Sequence, residues 1–283
     1  MDDNSECMTL RALFKAITYP DSGHHGLWYD VIAPWIERNR GVSFIPEIFR
    51  RRCAAEPRQL EQAYVLSRIN DRLIMPFQAD FPTISRKARK AYQGSGLTLA
   101  QYEDFLVAMG MTPFIDRPFS PYYHEVVEME EVVGLPHSVL ITNILWPRSI
   151  YGDMLFSRAG VKIQCRPGLF NKDLIEHSTL HFAYQRLRRE AHDMSHGWGS
   201  NSQWRTTFYR NYEDDQAFYY NVDGEWTIGA EKDGPHMRWL PDRISISEEE
   251  RIEILTYRCR VTKSGEDDLP YFDRHVEMRR SSL

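Results

Sequence analysis

One stretch decides the fold class: residues 112–118, with the sequence TPFIDRP. Before it, from Thr9 to Met111, apolar residues recur at intervals of three and four, which is typical of amphipathic helices. After it, short runs of β-branched and aromatic residues alternate with turn residues, which predicts strands. The sequence therefore predicts an α+β fold, with a helical region over residues 1–115 and a mainly antiparallel α+β region over residues 116–283. The two regions are either separate domains or parts of one.

The second region contains the more specific predictions. Two hairpins are expected, one across residues 157–160 and one across Asp223-Gly224, because Asp-Gly between two aromatic runs is a strong hairpin signal. Strands are also expected at Tyr122–Val133 and Val139–Trp146, and a last strand at Ile252–Val261. No regular alternation of strand and helix is present, so a doubly wound parallel sheet is not expected.

A single long helix is predicted to interrupt the strands, from Asn171 to His196, with Gly197 as its left-handed C-terminal residue. Four of the ten histidines lie in this segment, at positions 177, 181, 192 and 196. At about 100° per residue they share one face of the helix. The segment is therefore the main candidate for a functional site.

The end of this helix suggests a small-molecule site. Because imidazole is the usual acid or base at neutral pH, His192 and His196 are candidate catalytic residues. The residues that follow offer hydroxyl, amide and guanidinium donors to an anionic or carbonyl group: Ser200, Asn201, Gln203 and Arg205. The alternative interpretation is purely structural, a glycine-capped helix followed by a strand that packs two tryptophans into the core.

Neither a metal nor a cofactor is predicted. His181 and His192 are eleven residues apart, about 16 Å along a helix, whereas ligands of one zinc ion lie about 2 Å from it. The metalloprotease pattern is absent, because Ser178 and Asp193 stand where it requires glutamate. The hydrolase elbow, the phosphate loop and the dinucleotide-binding glycine pattern are absent as well.

Composition narrows the range of partners. The formal net charge of −5 provides no broad basic surface, so nucleic acid is not expected as a partner. The longest apolar stretches are too short to span a bilayer, so no membrane partner is expected. The amino terminus is acidic, unlike a secretory signal, which predicts a cytoplasmic location. The four cysteines form no paired motif, which predicts free thiols.

Two functional hypotheses remain open at this point. The first is a non-catalytic binding or regulatory protein of the inhibitor or immunity type, with a protein partner or a small anionic ligand. It rests on many aromatic residues and on 28 arginines against 7 lysines, because arginine and aromatic side chains dominate binding interfaces. The alternative is an enzyme that acts on a small anionic or carbonyl substrate through His192 and His196. The sequence does not decide between these two hypotheses, and it does not indicate the oligomeric state.

Overall fold

The computed structural model describes residues 9–19, 26–78, 96–116, 118–193, 208–229, 247–264 and 274–280. These residues form an α+β fold, as the sequence predicts. None of the described helices is both long and apolar enough to cross a membrane.

Six α-helices occur in the described ranges. Their bounds are α1 Leu10–Thr18, α2 Ala33–Arg38, α3 Pro57–Leu73, α4 Leu99–Ala108, α5 Lys172–His177 and α6 Glu248–Tyr257. A π-helical turn, Trp28–Ile32, leads directly into α2, and single 3₁₀ turns occur at Glu47–Arg50 and Met75–Gln78. In α1 the apolar residues recur at helical spacing, so one face is buried and packs against α3.

Twelve strands occur in the same ranges. Their bounds are β1 Thr112–Phe114, β2 His124–Glu131, β3 Val139–Trp146, β4 Arg148–Tyr151, β5 Met154–Ser157, β6 Ala159–Cys165, β7 Leu180–His181, β8 Ala191–His192, β9 Asn211–Glu213, β10 Ala217–Tyr220, β11 Trp226–Thr227 and β12 Arg274–Arg279. The predicted strand Val139–Trp146 is therefore confirmed to the residue.

The strands form two main sheets. One has seven strands in the order β1-β4-β5-β9-β10-β12-β11, and all its neighbours are antiparallel except β11 and β12. The other has β6 at its centre, antiparallel to β3 and parallel to β2. A short parallel pair, β7 with β8, stands apart. Most of the described pairings are antiparallel, but the sheets are mixed.

The largest apolar cluster joins the two regions that the sequence distinguishes. It contains Leu66 and Ile69 of α3, Phe105 of α4, and Met154 and Phe156 of β5. Helices from the first region thus pack directly on a strand of the second region.

The hairpin predicted across residues 157–160 is wrong. β5 pairs with β4 and β9 in the larger sheet, whereas β6 pairs with β2 and β3 in the smaller one. Arg158, the single residue between them, is where the chain passes from one sheet to the other. The carbonyl oxygen of Arg158 accepts a hydrogen bond of 2.9 Å from Nε1 of the buried Trp146, which fixes this crossing.

The hairpin predicted at Asp223-Gly224 is also wrong. β10 and β11 do not pair with each other, because β12 lies between them. Gly224 has a different role: a Cβ atom there would overlap the backbone of Arg274 and lie 2.6 Å from its carbonyl oxygen. The glycine is required for the close approach of β12 and not for a tight turn.

The long helix predicted over 171–196 is wrong, because α5 ends at His177 and Ser178 is extended. The guanidinium group of Arg189 donates hydrogen bonds to the carbonyl oxygens of Ile175 and Ser178, at 2.5 and 2.8 Å. These carbonyls at the end of α5 are thus satisfied by a cation from the following segment. The tertiary contacts of Arg189 therefore outweigh the helical periodicity of the sequence over residues 171–196.

The last strand predicted at Ile252–Val261 is wrong as well, because α6 covers most of it. The signal for this helix is a capping box: Ser247 accepts a hydrogen bond from the amide of Glu250, whose side chain accepts one from the amide of Ser247. Acidic residues in the first turn further favour a helix.

Candidate functional site

The structure separates the residues that the sequence analysis proposed for the site. His192 lies in β8, opposite His181 of β7, and is exposed. His177 ends α5 on the surface, so the common histidine face does not exist. The other proposed residues lie outside the described residues: His196, Ser200, Asn201, Gln203 and Arg205. In the part of the chain that is described, no group of three or more His, Cys, Asp and Glu residues is placed to hold a metal ion.

A cleft at the junction of the two regions is the stronger candidate, and we call it the arginine cleft. It is lined by four arginines and two aspartates, together with aromatic residues: Arg68, Arg158, Arg186, Arg258, Asp71, Asp193, Tyr64, Tyr184, Tyr209, Phe156, Phe182 and Phe208. Helix α3 provides Arg68 and Asp71, the crossing between the sheets provides Arg158, and the end of α6 provides Arg258.

Arg186 lies at the centre of a buried ion-pair network. It binds both carboxylate oxygens of Glu125 and is 2.9 Å from Oδ1 of Asp71. Burial disfavours the charged guanidinium, but the two carboxylates outweigh it and raise the pKa of Arg186. Asp71 also accepts a hydrogen bond of 2.6 Å from the backbone amide of Tyr184. This part of the cleft is electrostatically complete.

Arg68 is paired in a similar way. It forms an ion pair with Asp193, which also accepts a hydrogen bond of 3.0 Å from the hydroxyl group of Tyr64. The guanidinium carbon of Arg68 lies 4.5 Å from the ring centre of Tyr64 and 4.6 Å from that of Tyr184. Cation–π contact and ion pairing thus hold Arg68 in place.

Arg158 differs from these arginines. It is only 2% exposed, and its Nη1 donates a hydrogen bond of 2.6 Å to the carbonyl oxygen of Thr256, near the C-terminal end of α6. Its Nε and Nη2 are buried with no acceptor among the described residues. No carboxylate in the described ranges lies within ion-pair distance of it. The negative end of the helix dipole compensates only part of its charge.

Arg258 is the second incompletely paired cation. It is 8% exposed, its Nη1 lies 3.9 Å from Oε2 of Glu125, and its Nε has no acceptor among the described residues. Burial, and next the positive charge of Arg158, lower the pKa of Arg258 to about 10. Arg258 is nevertheless charged at neutral pH.

The charges in and around the cleft do not balance. Among the described residues, four arginines and two aspartates line the cleft, and Glu125 beside Arg186 adds a third carboxylate, so the positive charges outnumber the negative ones by one. Buried charges in proteins are normally paired, because an uncompensated one is costly. The described part of the cleft is therefore positively charged.

Backbone strain is concentrated at the same place. Among the described residues only three that are not glycine have positive φ, and two of them line the cleft: Phe182 with φ 55° and Arg258 with φ 64°. Residues other than glycine rarely adopt positive φ, and backbone strain of this kind clusters at functional sites. At the end of α6, Arg258 thus adopts the left-handed conformation that glycine usually takes at this position.

The cleft is narrow and has aromatic walls. The cavity volume is about 30 Å³, which is room for about two or three water molecules. Phe182 stacks on Tyr209 with ring centres 4.3 Å apart, and Phe156 contacts Phe208 at 5.6 Å. The cleft can hold a small group that is charged on one side and apolar on the other.

Comparisons with protein-family models, with curated proteins and with solved structures give no match to this chain. The interpretation of the arginine cleft therefore depends on its own geometry.

Sequence reasoning missed the residues of this cleft, although one signal was available. Arg258 and Arg260 flank Cys259 at the end of an apolar segment, and arginines in such a position are buried only when they are paired or bind something. Arg158 carries no local signal, because its environment is created by two sheets and a helix that are distant in sequence.

Proposed function

We propose that this protein is a non-catalytic binding protein whose ligand is a small anion held in the arginine cleft. The observation that carries the proposal is the buried side chain of Arg158, whose positive charge has no carboxylate partner among the described residues. The surplus positive charge and the strained backbone of Arg258 support the same conclusion.

A purely structural role is the competing explanation for Arg158. Its hydrogen bond to Thr256 ties the sheet crossing to the end of α6, and this alone would stabilise the fold. The two explanations differ in what added anions do. A structural arginine leaves the stability of the protein independent of the anion, whereas a binding site makes stability rise with ligand concentration.

Thermal unfolding of the full chain tests the proposal. Acetate and phosphate are compared at constant ionic strength, with sodium chloride making up the difference. At a ligand concentration 100 times the Kd we expect a gain of about 2.7 kcal/mol, which corresponds to a rise in Tm of about 5 °C. The rise should be lost in Arg258→Met and kept in Arg40→Met, which removes an exposed arginine. A Tm that responds to neither anion would refute the proposal.

The enzyme hypothesis and the inhibitor or immunity-type partner remain predictions. His192 is exposed and is not among the residues that line the cleft, while His196 and the proposed substrate-binding residues lie outside the described ranges. The neighbour of His192, Asp193, does line the cleft, so the segment predicted to carry the site reaches it through a different residue.

A further inference from the structure

Among the described strands, three of the four outer edges of the two main sheets are protected against pairing with a further strand. In the seven-stranded sheet, β1 has only three residues and contains Pro113, and β11 has only two residues. In the sheet around β6, the edge of β2 is covered by Glu176, which accepts a hydrogen bond of 2.9 Å from the amide group of Met129. Arg188 covers the same edge and donates a hydrogen bond of 3.0 Å to the carbonyl oxygen of Val127. Short strands, proline and charged side chains are common means of preventing contact between sheet edges.

The fourth edge, that of β3, lacks these features. β3 is eight residues long, and its sequence VLITNILW contains no proline and no charged residue. On one side it pairs with β6, and among the described residues no backbone group or side chain forms a hydrogen bond to the other side of residues 140–145. Leu140, Thr142 and Asn143 are exposed. An edge of this length and composition readily accepts another strand.

The centre of β3 is nearly symmetric in sequence. Residues 140–145 read LITNIL, and the reversed order differs only in the exchange of threonine and asparagine. An isologous interface requires a surface that is complementary to itself, and this strand meets the requirement. With the two-fold axis between positions 142 and 143, antiparallel pairing with a second copy places similar residues opposite each other: Leu140 and Leu145, Ile141 and Ile144, Thr142 and Asn143.

The burial of these residues agrees with such a pairing, because residues directly opposite in a sheet lie on the same face. Ile141 belongs to the apolar cluster on the covered face of the smaller sheet, and Ile144 packs against the same cluster. The register with β6 shifts between Ile141 and Asn143, and Thr142 and Asn143 are both exposed. The hydroxyl group of Thr142 donates a hydrogen bond of 3.2 Å to the carbonyl oxygen of Lys162, so its oxygen is able to accept one from the amide of Asn143 in a second copy.

We infer that two copies of this chain form a dimer by antiparallel pairing of β3 with β3, about a two-fold axis between Thr142 and Asn143. The two smaller sheets then form one sheet of six strands, in the order β2-β6-β3-β3-β6-β2. No residue of β3 lines the arginine cleft, so this interface is independent of the proposed function. One strand from each copy gives an interface at the low end of the size range, and we expect a Kd on the order of 10 µM.

Sedimentation equilibrium of the full chain tests for the dimer at concentrations from about 1 to about 200 µM, on either side of the expected Kd. The mean mass should rise with concentration from 33.3 kDa towards twice that value.

Two exposed substitutions test the position of the axis. Thr142→Lys or Asn143→Asp alone brings like charges together across the axis and should weaken dimerisation about tenfold. An equimolar mixture of the two variants places a lysine opposite an aspartate, so its association should return to within about threefold of the wild type. Thr112→Lys is the matched control, because Thr112 is an exposed threonine on the edge strand β1, and it should dimerise as the wild type does.

Each contrary outcome would overturn the inference. A wild type that stays monomeric at every concentration would leave the edge of β3 to a strand of a different protein. A dimer that is equally stable in Thr142→Lys and Asn143→Asp would use another surface. Two weakened variants whose mixture fails to associate would exclude this antiparallel register. The measurement on the wild type requires no substitution, so it remains decisive if a variant fails to fold.

Discussion

The guanidinium group of Arg186 donates two hydrogen bonds of 2.7 Å, from Nε and Nη2, to the two carboxylate oxygens of Glu125. Both residues are buried, and Asp71 lies 2.9 Å from the Nη1 atom of the same guanidinium. This network connects α3, β2 and the segment that follows α5. It fixes the position of Arg186 and Asp71 in the wall of the arginine cleft.

Replacement of Glu125 by Gln should destabilise the protein in a pH-dependent way. Burial alone would raise the pKa of Glu125, but Arg186 lowers it to about 2, against an ordinary value of 4.5. Because the folded-state pKa is the lower one, the stabilisation is fully present above pH 4.5 and is lost as the pH falls towards 2. At 1.36 kcal/mol per pKa unit, we expect a loss of about 3 kcal/mol at pH 7 and about 1 kcal/mol at pH 3.

Urea unfolding of wild type and Glu125→Gln between pH 7 and pH 3 measures this difference. Glu37→Gln is the control, because Glu37 is exposed and its pair with Arg40 should contribute little at any pH. A stability difference for Glu125→Gln that stays constant over this range would contradict the assignment of the pKa.

Asp223→Asn should also be strongly destabilising. Arg210 is fully buried, and Asp223 is its ion-pair partner, with hydrogen bonds of 2.6 and 2.5 Å. Loss of the carboxylate leaves a buried guanidinium uncompensated, which costs about 3 kcal/mol. Asp173→Asn removes an exposed partner of His177 and should change the stability by less than about 0.5 kcal/mol. Chemical denaturation of both variants at pH 7 makes the comparison, and equal effects would be evidence against the ion pair.

Gly224→Ala tests the position of β12. The added methyl group would overlap the backbone of Arg274, so we expect a loss of about 2 kcal/mol. Gly26→Ala is the matched control, since the nearest atom to its added methyl group is 3.9 Å away, in Tyr29. If Asp223-Gly224 formed a simple hairpin turn instead, β12 would not be near and the overlap with Arg274 would be absent. Tm measurements that rank the two variants equally would rule out the inserted strand.

Local patterns predicted much of the fold and failed where distant contacts decide. The burial of Leu10, Leu13, Phe14 and Ile17 follows from helical spacing alone. The helix predicted to reach His196 failed because Arg189 satisfies the carbonyls at the end of α5, a contact that periodicity does not contain. The hairpin predicted across residues 157–160 failed for the same reason, because the strands that pair with β5 and those that pair with β6 belong to two different sheets.

The candidate site was less predictable than the fold. The sequence favours His192 as a site residue because histidine is a common catalytic acid or base, but in the structure His192 is exposed on β8. The cleft is built from arginines, which are charged at every physiological pH and differ only in what they pair with. Arg186 has Glu125 as a carboxylate partner, whereas Arg158 has no such partner among the described residues. This difference exists only in the folded chain, so the sequence does not reveal it.

The insertion of β12 between β10 and β11 also has a consequence for synthesis of the protein on the ribosome. Translation starts at the amino terminus, so β10 and β11 are complete before Arg274–Arg279 exist. During that interval each strand has an edge without its final partner, and such edges pair readily with other polypeptides. The order of synthesis therefore leaves open strand edges in this sheet until β12 has been added.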